Sequence, residues 1–407
     1  MRPFQGASLA LAAAFLCLPS TQAQTFNVLH SFQSTDGSGP QAGVIEDNSG
    51  NLYGTTLDGG TYLGGTVFKL TPKGKLSVLH NFHATTSDGL EPFAPLILDD
   101  NGNLYGTTVA GGEDCTGSDT SGCGTVFKIN PSGKETILHA FEGGDPSSTD
   151  GMNPFSGLIA DRNSNAMYGT TWGGYNGSVV YQINPSGKET ILYTLSDSTL
   201  YGSLVQDNNG DLWGTTGGGT DHACESNCGS VFKLHKTSKS WVETTTYSFT
   251  GSSDGADPWA GLVYDSIHHV FYGVTELGGA NQTCWYEGVL GGCGVLFRLD
   301  STGTKLTVLH SFNGTDGEFP VANLILDPAG NIYGTTSFGG PASSYGTVFA
   351  YTIGGQFITL HAFTGGADGS SPEGSLLLDK RKAVIYGTTV SGGDPTCQCG
   401  VVFSITP

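Results

Sequence analysis

The sequence predicts an all-β fold: a seven-bladed β-propeller of four-stranded antiparallel blades, closed by the N-terminal strand completing the last blade. Three observations predict it. An aromatic-glycine motif recurs seven times, at Leu52-Tyr53-Gly54-Thr55-Thr56, 104–108, 167–171, Leu212-Trp213-Gly214-Thr215-Thr216, Phe271-Tyr272-Gly273-Val274-Thr275, 332–336 and 385–389. Its spacing averages about 55 residues, the period of stacked or radial supersecondary units, and seven sheets can close into a ring. The third observation is the phase of the array. Phe26-Asn27-Val28-Leu29-His30-Ser31-Phe32 reads as a fourth strand without the three before it, and Val401-Val402-Phe403-Ser404-Ile405 as a third strand without a fourth. An open solenoid would carry polar capping repeats; a ring joins the two leftovers and hides the sheet edges.

The second copy shows the elements of one unit. Leu96-Ile97-Leu98-Asp99 is followed by the turn Asp100-Asn101-Gly102-Asn103 and the aromatic-glycine strand at 104–108. A glycine-rich connection leads to Thr125-Val126-Phe127-Lys128-Ile129, the turn Asn130-Pro131-Ser132-Gly133-Lys134, and Thr136-Ile137-Leu138-His139-Ala140-Phe141. Asn-Gly and Pro-Ser-Gly punctuation between β-branched and aromatic runs marks hairpins. No segment keeps a helical apolar period. With 64 Gly, 13% charged and 37% hydrophobic residues, the composition is that of a turn-rich β protein and not of a disordered chain.

Residues 1–23 read as a secretory signal: Arg2, a short apolar run from Ala7 to Leu18, and a small-residue cleavage site at Thr21-Gln22-Ala23. The run is too short to span a bilayer. Residues 24–407 are expected to form a single domain, secreted or periplasmic, without membrane insertion. Eight cysteines remain after Cys17, in four local pairs: Cys115/Cys123, Cys224/Cys228, Cys284/Cys293 and Cys397/Cys399. Each pair falls between an aromatic-glycine strand and the next strand, which favours loop-stapling disulfides in an oxidising compartment. Zinc would need four ligands converging on one point, whereas these pairs belong to different repeats.

The formal charge of −20 excludes the basic footprint of nucleic-acid binding and disfavours anionic lipid. It suits neutral sugars, cations or basic ligands, or serves solubility alone.

The VLHSF, DG-x-x-P, GNLYGTT, GG and GTVFKL elements at 28–32, 36–40, 50–56, 59–60 and 65–70 resemble the GloVer-type (Gloeobacter/Verrucomicrobia) tandem repeat of secreted bacterial proteins. The resemblance spans 26–407. It implies an extracellular location and a propeller-like repeat fold, and it transfers no activity.

In such a blade the fourth-to-first and second-to-third connections emerge on one face, here called the loop face. The first-to-second and third-to-fourth turns emerge on the other, the turn face, which holds only short turns such as Asp47-Asn48-Ser49-Gly50 and Pro185-Ser186-Gly187-Lys188. Binding groups concentrate on loops held by a rigid scaffold, so a site is expected on the loop face near the axis. The recurrent DG-x-x-P loops (Asp36/Pro40, Asp88/Pro92, Asp150/Pro154, Asp254/Pro258, Asp316/Pro320, Asp368/Pro372) read as Asp-capped turns. Calcium would need six to eight oxygens at one centre, and these carboxylates sit on separate blades. The histidines His30, His80, His139, His310 and His361, with Tyr193 and Tyr247 in the same register, read as structural. No phosphate loop, nucleophile elbow or zincin motif occurs, and no cofactor or metal is expected.

Departures from the repeat cluster in the third to fifth copies. Trp172 opens a loop of the third; Tyr201 lies where the fourth lacks DG-x-x-P; Asp221, His222 and Glu225 follow in the same copy. The fifth carries Trp259, Glu276, Trp285 and Glu287. Aromatics beside carboxylates on one rim suit sugar stacking and hydrogen bonding; the bland alternative is loop drift. His268-His269 falls on the turn face. The leading expectation is an extracellular binding or scaffold module for a carbohydrate or protein ligand, with Trp172, Trp259 and Trp285 as contacts. The alternative is a secreted glycoside hydrolase or polysaccharide lyase, with catalytic candidates Tyr201, Asp221, His222, Glu225 and Glu287.

Overall fold

The computed structural model describes residues 24–83, 88–112, 122–144, 147–196, 199–217, 228–281, 283–286, 289–341, 345–379 and 381–407. Seven four-stranded antiparallel sheets surround one axis, each running outward from a short innermost strand. Blade 1 comprises Ile45–Glu46, Leu52–Thr56, Thr66–Leu70 and Leu76–Asn81. In blade 7, Leu377–Asp379, Val384–Thr389 and Val401–Thr406 are completed by Thr25–Ser31, with Phe26 opposite Ile405 and Val28 opposite Phe403. The expected strand pairing of the two ends is therefore present. The innermost strands are shorter than the four-residue runs in the sequence; in five blades the Asp ending the run lies outside the strand, as where Asp47, Asp99, Asp207 and Asp327 cap the following turn.

The repeat motif follows from packing. Its glycine lies under the ring of the paired third strand: a Cβ on Gly54 would come within 2.7 Å of Phe68 Cζ, and one on Gly387 within 2.4 Å of Phe403 Cζ. The aromatic residue reaches the capping Asp. Tyr53 Oη donates to Asp47 at 3.0 Å, Tyr333 Oη to Asp327 at 3.1 Å, and Trp213 Nε1 to Asp207 at 3.1 Å. Asn51, Asn103 and Asn331 bind the same carboxylates through their side-chain amides. The first Thr ties neighbouring blades together, with Thr215 Oγ1 donating to the Ala260 carbonyl at 2.9 Å and Thr388 to Ala42 at 2.8 Å. The second Thr bonds across to the third strand, as in Thr56 with Thr66.

The VLHSF element joins blades at the outer rim. Every outermost strand carries a register shift at the same place, as between Val67 and Phe68 in blade 1; a bulge of this kind re-aims the following side chains. The closing Phe then enters the next blade. Phe32 packs edge-on against Phe68, Phe82 against Phe127, Phe312 against Phe349 and Phe363 against Phe403, all fully buried. Burying a ring of this size contributes roughly 1.5–3 kcal/mol, so the core is a circle of interblade seams. No helix long and apolar enough to cross a membrane occurs among the described residues.

Candidate functional site

Each recurrent histidine faces the Asp of the DG-x-x-P loop that follows it, hydrogen-bonded to it at His30, His139, His310 and His361. The distances are 3.1 Å for His30–Asp36, 3.4 Å for His80–Asp88, 3.0 Å for His139–Asp150, 2.9 Å for His310–Asp316 and 3.1 Å for His361–Asp368. Tyr247 takes the role in blade 4, at 3.0 Å from Asp254. The same aspartates also accept backbone N–H groups, such as those of Gln33 and Asn313. These loops are structural, and the His–Asp pairing is a link that sequence reasoning missed although the fixed spacing carried it.

What the histidine meets on the next blade varies. His310 stacks on Phe357 at 3.9 Å and His361 on Phe26 at 3.8 Å. In the first two joints the same register holds a glutamate: Glu135 lies 3.5 Å from His80, and Glu189 lies 3.3 Å from His139. In each of these triads the donor atoms lie within 4.8 Å of one another, so a divalent cation could use them. Burial pushes both glutamate carboxyls up to about 7. For His80 and His139 burial opposes the charged form, yet the neighbouring carboxylates outweigh it and raise both. At His361 burial outweighs Asp368 and lowers the imidazole.

The loop face is laced by backbone. The residue before each conserved Pro is left-handed, with φ of 58° at Glu91, 54° at Asn153, 55° at Asp257, 54° at Phe319 and 53° at Ser371. Its N–H reaches back to the preceding blade: Asn153 to the Cys123 carbonyl, Asp257 to Cys228, Phe319 to Cys293 and Gly39 to Cys399. Its carbonyl accepts the N–H of the residue after the aromatic-glycine motif, as in Trp172 to Asn153 and Glu276 to Asp257. Disulfides Cys284–Cys293 and Cys397–Cys399 anchor two of the loops whose carbonyls accept these bonds. Cys123 and Cys228 are likewise disulfide-bonded, while Cys115 and Cys224 lie outside the described residues.

This lacing sets the residue after each Pro, or after Leu200 in the fourth copy, at the mouth of the axis. Around the ring these are Gln41, Phe93, Phe155, Tyr201, Trp259, Val321 and Glu373, above small residues such as Ala42, Ala94 and Gly202. Four consecutive aromatics form an arc. Phe93 and Phe155 meet edge-on at 5.2 Å, Phe155 and Tyr201 at 5.8 Å, and Tyr201 stacks on Trp259 at 3.9 Å with planes 10° apart. Trp172 backs the arc, 6.1 Å from Phe155 and 6.2 Å from Tyr201. The well they enclose is only about 70 Å³. Burial, and then the charges of Asp257 and Glu276, raise the Tyr201 phenol against the opposing influence of the nearby Trp172 indole. It therefore stays protonated at neutral pH and acts as a donor, not a base. Burial alone pushes the Glu373 carboxyl up to about 7.

The structure thus brings Trp172, Tyr201 and Trp259 together. Phe93, Phe155, Gln41 and Glu373 were missed, although their place directly after the DG-x-x-P proline, or its equivalent, marks them in the sequence. Trp285 lies in a short ribbon, Trp285–Tyr286 paired with Val289–Leu290. Asp221, His222, Glu225 and Glu287 fall outside the described residues.

On the turn face the turns are tight, but the grooves between them, about 730 Å³ around Ile97, Tyr105 and Met167 and about 610 Å³ around Tyr264, Ile325 and Leu377, are roomier than the axial well. In the first of them Asp99 accepts from Asn101, Asn103 and Tyr105. Burial works against ionisation of Asp99, but these bonds outweigh it and hold the carboxyl below its usual value, while the Tyr105 phenol is pushed up to about 12. His268 is bound to Asp265 in the same way.

Fold and lacing define a seven-bladed propeller whose loop face is stapled by disulfides. The chain belongs to the Gloeobacter/Verrucomicrobia repeat family, whose model matches residues 18–221 and 283–407. The unmatched stretch covers much of the fourth and fifth copies, where the repeat pattern breaks. No curated protein matches the chain. Among solved structures, a streptogramin B lyase is similar with a TM-score of 0.58 at 14% identity, covering 94% of this chain and 97% of that one. The extracellular domain assigned to a hybrid two component system of B. thetaiotaomicron gives 0.55 at 15% identity, covering 94% of this chain and 41% of that chain. A protein assigned as a 6-phosphogluconolactonase from Bacteroides fragilis gives 0.53 at 13% identity, covering 85% and 87%. At these identities the likeness is one of fold.

Proposed function

We propose that the protein is an exported binding module whose loop face takes a saccharide across the axial mouth. One observation carries this reading: the arc Phe93, Phe155, Tyr201 and Trp259, backed by Trp172, is the only ring register on that face where flat aromatics run together among the described residues. Stacked rings give a sugar an apolar platform, and the Tyr201 hydroxyl, Gln41 and Glu373 supply hydrogen-bonding groups beside it. A well of about 70 Å³ is far below the roughly 300 Å³ of a small-molecule pocket. The ligand therefore lies over the arc instead of entering the axis. Export rests on the disulfides and on the expected leader at 1–23. The hydrolase or lyase alternative depends on Asp221, His222, Glu225 and Glu287, and product analysis on any bound oligosaccharide separates it from simple binding.

The test is tryptophan fluorescence titration against chito-, cello-, xylo- and mannan-derived oligosaccharides. At least one series should bind, and Trp259→Ala should weaken it by about 1–3 kcal/mol, as expected for a buried aromatic anchor. Trp241→Ala, on an outer strand, should leave the affinity unchanged. Binding that survives truncation of Trp172, Tyr201 and Trp259 together would remove the site from this location.

A further inference from the structure

The two faces differ in charge. After Arg2, every Lys and Arg lies in a first-to-second turn, a third-to-fourth turn, or on a third strand. On the third strands, Lys69 and Lys233 lie over the aromatic rings of Tyr53 and Trp213, whose polar atoms reach the turn-face Asp47 and Asp207. The fourth-to-first and second-to-third connections, which build the loop face, contain no Lys or Arg anywhere in the sequence. Yet they hold more than half of the 36 Asp and Glu. The net charge of −20 is therefore a property of one face, and its field points cations toward the axial mouth.

The mouth has a polar corner to receive one. Glu373 and Gln41 are neighbours in the ring, across the well from the aromatic arc. Gln41 Oε1 is buried without a hydrogen-bond partner, and no cation among the described residues faces Glu373. Desolvation with no compensating charge holds that carboxyl near neutrality, a cost that a bound ammonium would relieve. An ammonium offers three donors to these acceptors and favours the faces of nearby aromatic rings.

Building on the saccharide reading of this face, we propose that its ligand is an amine-bearing saccharide of the glucosamine class. The sugar ring sits on Trp259 and Tyr201 and the ammonium at the Glu373–Gln41 corner. A neutral sugar would leave the acidic field and the desolvated carboxyl without a purpose, and a basic peptide would leave the stacked arc without one.

Calorimetric titration of the mature, oxidised protein at pH 7 with a glucosamine tetramer and its N-acetylated form tests this. The glucosamine tetramer should bind about tenfold more tightly or better, since acetylation removes the charge and leaves the buried acceptors unmatched. The preference should shrink several-fold between roughly 50 and 500 mM salt. Glu373→Gln should bring the two affinities to within about twofold, and Trp259→Ala should weaken both. Equal or tighter binding of the N-acetylated tetramer by the unmodified protein would overturn the amine assignment while leaving the aromatic-arc reading intact. Binding of neither tetramer, with tight polylysine binding indifferent to Trp259→Ala, would overturn both.

Discussion

Glu189 makes one interblade joint a sensor of pH. Its Oε2 lies 3.3 Å from His139 Nε2, which is 3.0 Å from Asp150 Oδ2, and its Oε1 is buried without a hydrogen-bond partner. Burial, and then the Asp150 charge, lift its carboxyl from 4.5 to about 7, with His139 pulling the other way. A folded value above the unfolded one means that the joint favours the protonated acid. This contribution is fully present below about pH 4.5 and lost as the pH rises through about 7. The whole excursion corresponds to about 3 kcal/mol at 1.36 kcal/mol per pK unit. His139, raised through Asp150, Glu189 and Glu142 against its burial, acts with the same sign: its share is present below pH 6.5 and fades as it deprotonates. Glu189→Gln keeps the shape of the protonated acid and cannot ionise, though it loses the attraction to His139. The variant should match the parent at pH 5 and exceed it by about 1–2 kcal/mol at pH 8. Urea unfolding at pH 5, 6, 7 and 8, with a chelator present, reads the difference. A variant less stable than the parent at pH 8, or a difference independent of pH, would refute the reasoning.

Phe26→Ala should destabilise the ring by about 2–4 kcal/mol, because this half-buried side chain stacks on His361 and packs against Phe363 and Phe403 across the closure; a change under 0.5 kcal/mol in urea, taken as roughly zero, would contradict that packing. Gly387→Ala should cost about 1–3 kcal/mol or more, since the added Cβ meets Phe403 Cζ at 2.4 Å; an unchanged unfolding midpoint would show that the ring moves freely. Non-reducing peptide maps should recover Cys115 with Cys123 and Cys224 with Cys228, alongside the Cys284–Cys293 and Cys397–Cys399 bridges. A Cys123 or Cys228 linked to any other cysteine would break the loop-staple account.

Much of the fold was legible because each blade repeats its constraints. The glycine under the third-strand ring, the Asn and Tyr held by one Asp, and the Phe entering the next blade all return at fixed spacing, so periodicity alone exposes them. The closure was legible from the phase of two incomplete repeats. The innermost strands were not read to length: of the run Leu96 to Asp99 only Ile97–Leu98 enters the ladder, Asp99 being bound into the turn. The His–Asp bond stayed hidden because its two members fall in different motifs, VLHSF and DG-x-x-P, that sequence reading treated separately. The site was read in part. Trp172, Tyr201 and Trp259 announced themselves by breaking the pattern, whereas Phe93 and Phe155 looked like ordinary apolar residues after a turn. Only the ring geometry shows that the position after each proline faces the axis.

That position also explains why variation there carries meaning. In each repeat the residue before the proline is fixed by its left-handed backbone and by bonds in both directions around the ring. The residue after Gln41, Phe93 or Trp259 is a small one that closes against the next blade, and its carbonyl receives the threonine of the preceding one. Between these two constrained positions stands one side chain that neither the sheets nor the seams require. Packing would accept small or aliphatic residues at all seven places, as Val321 illustrates. Instead four consecutive blades present aromatics and the seventh a carboxyl at a desolvation cost. A scaffold under structural pressure alone has no reason to place a partly buried, desolvated acid opposite an aromatic arc on a face without Lys or Arg, and that combination is what directs attention to a ligand.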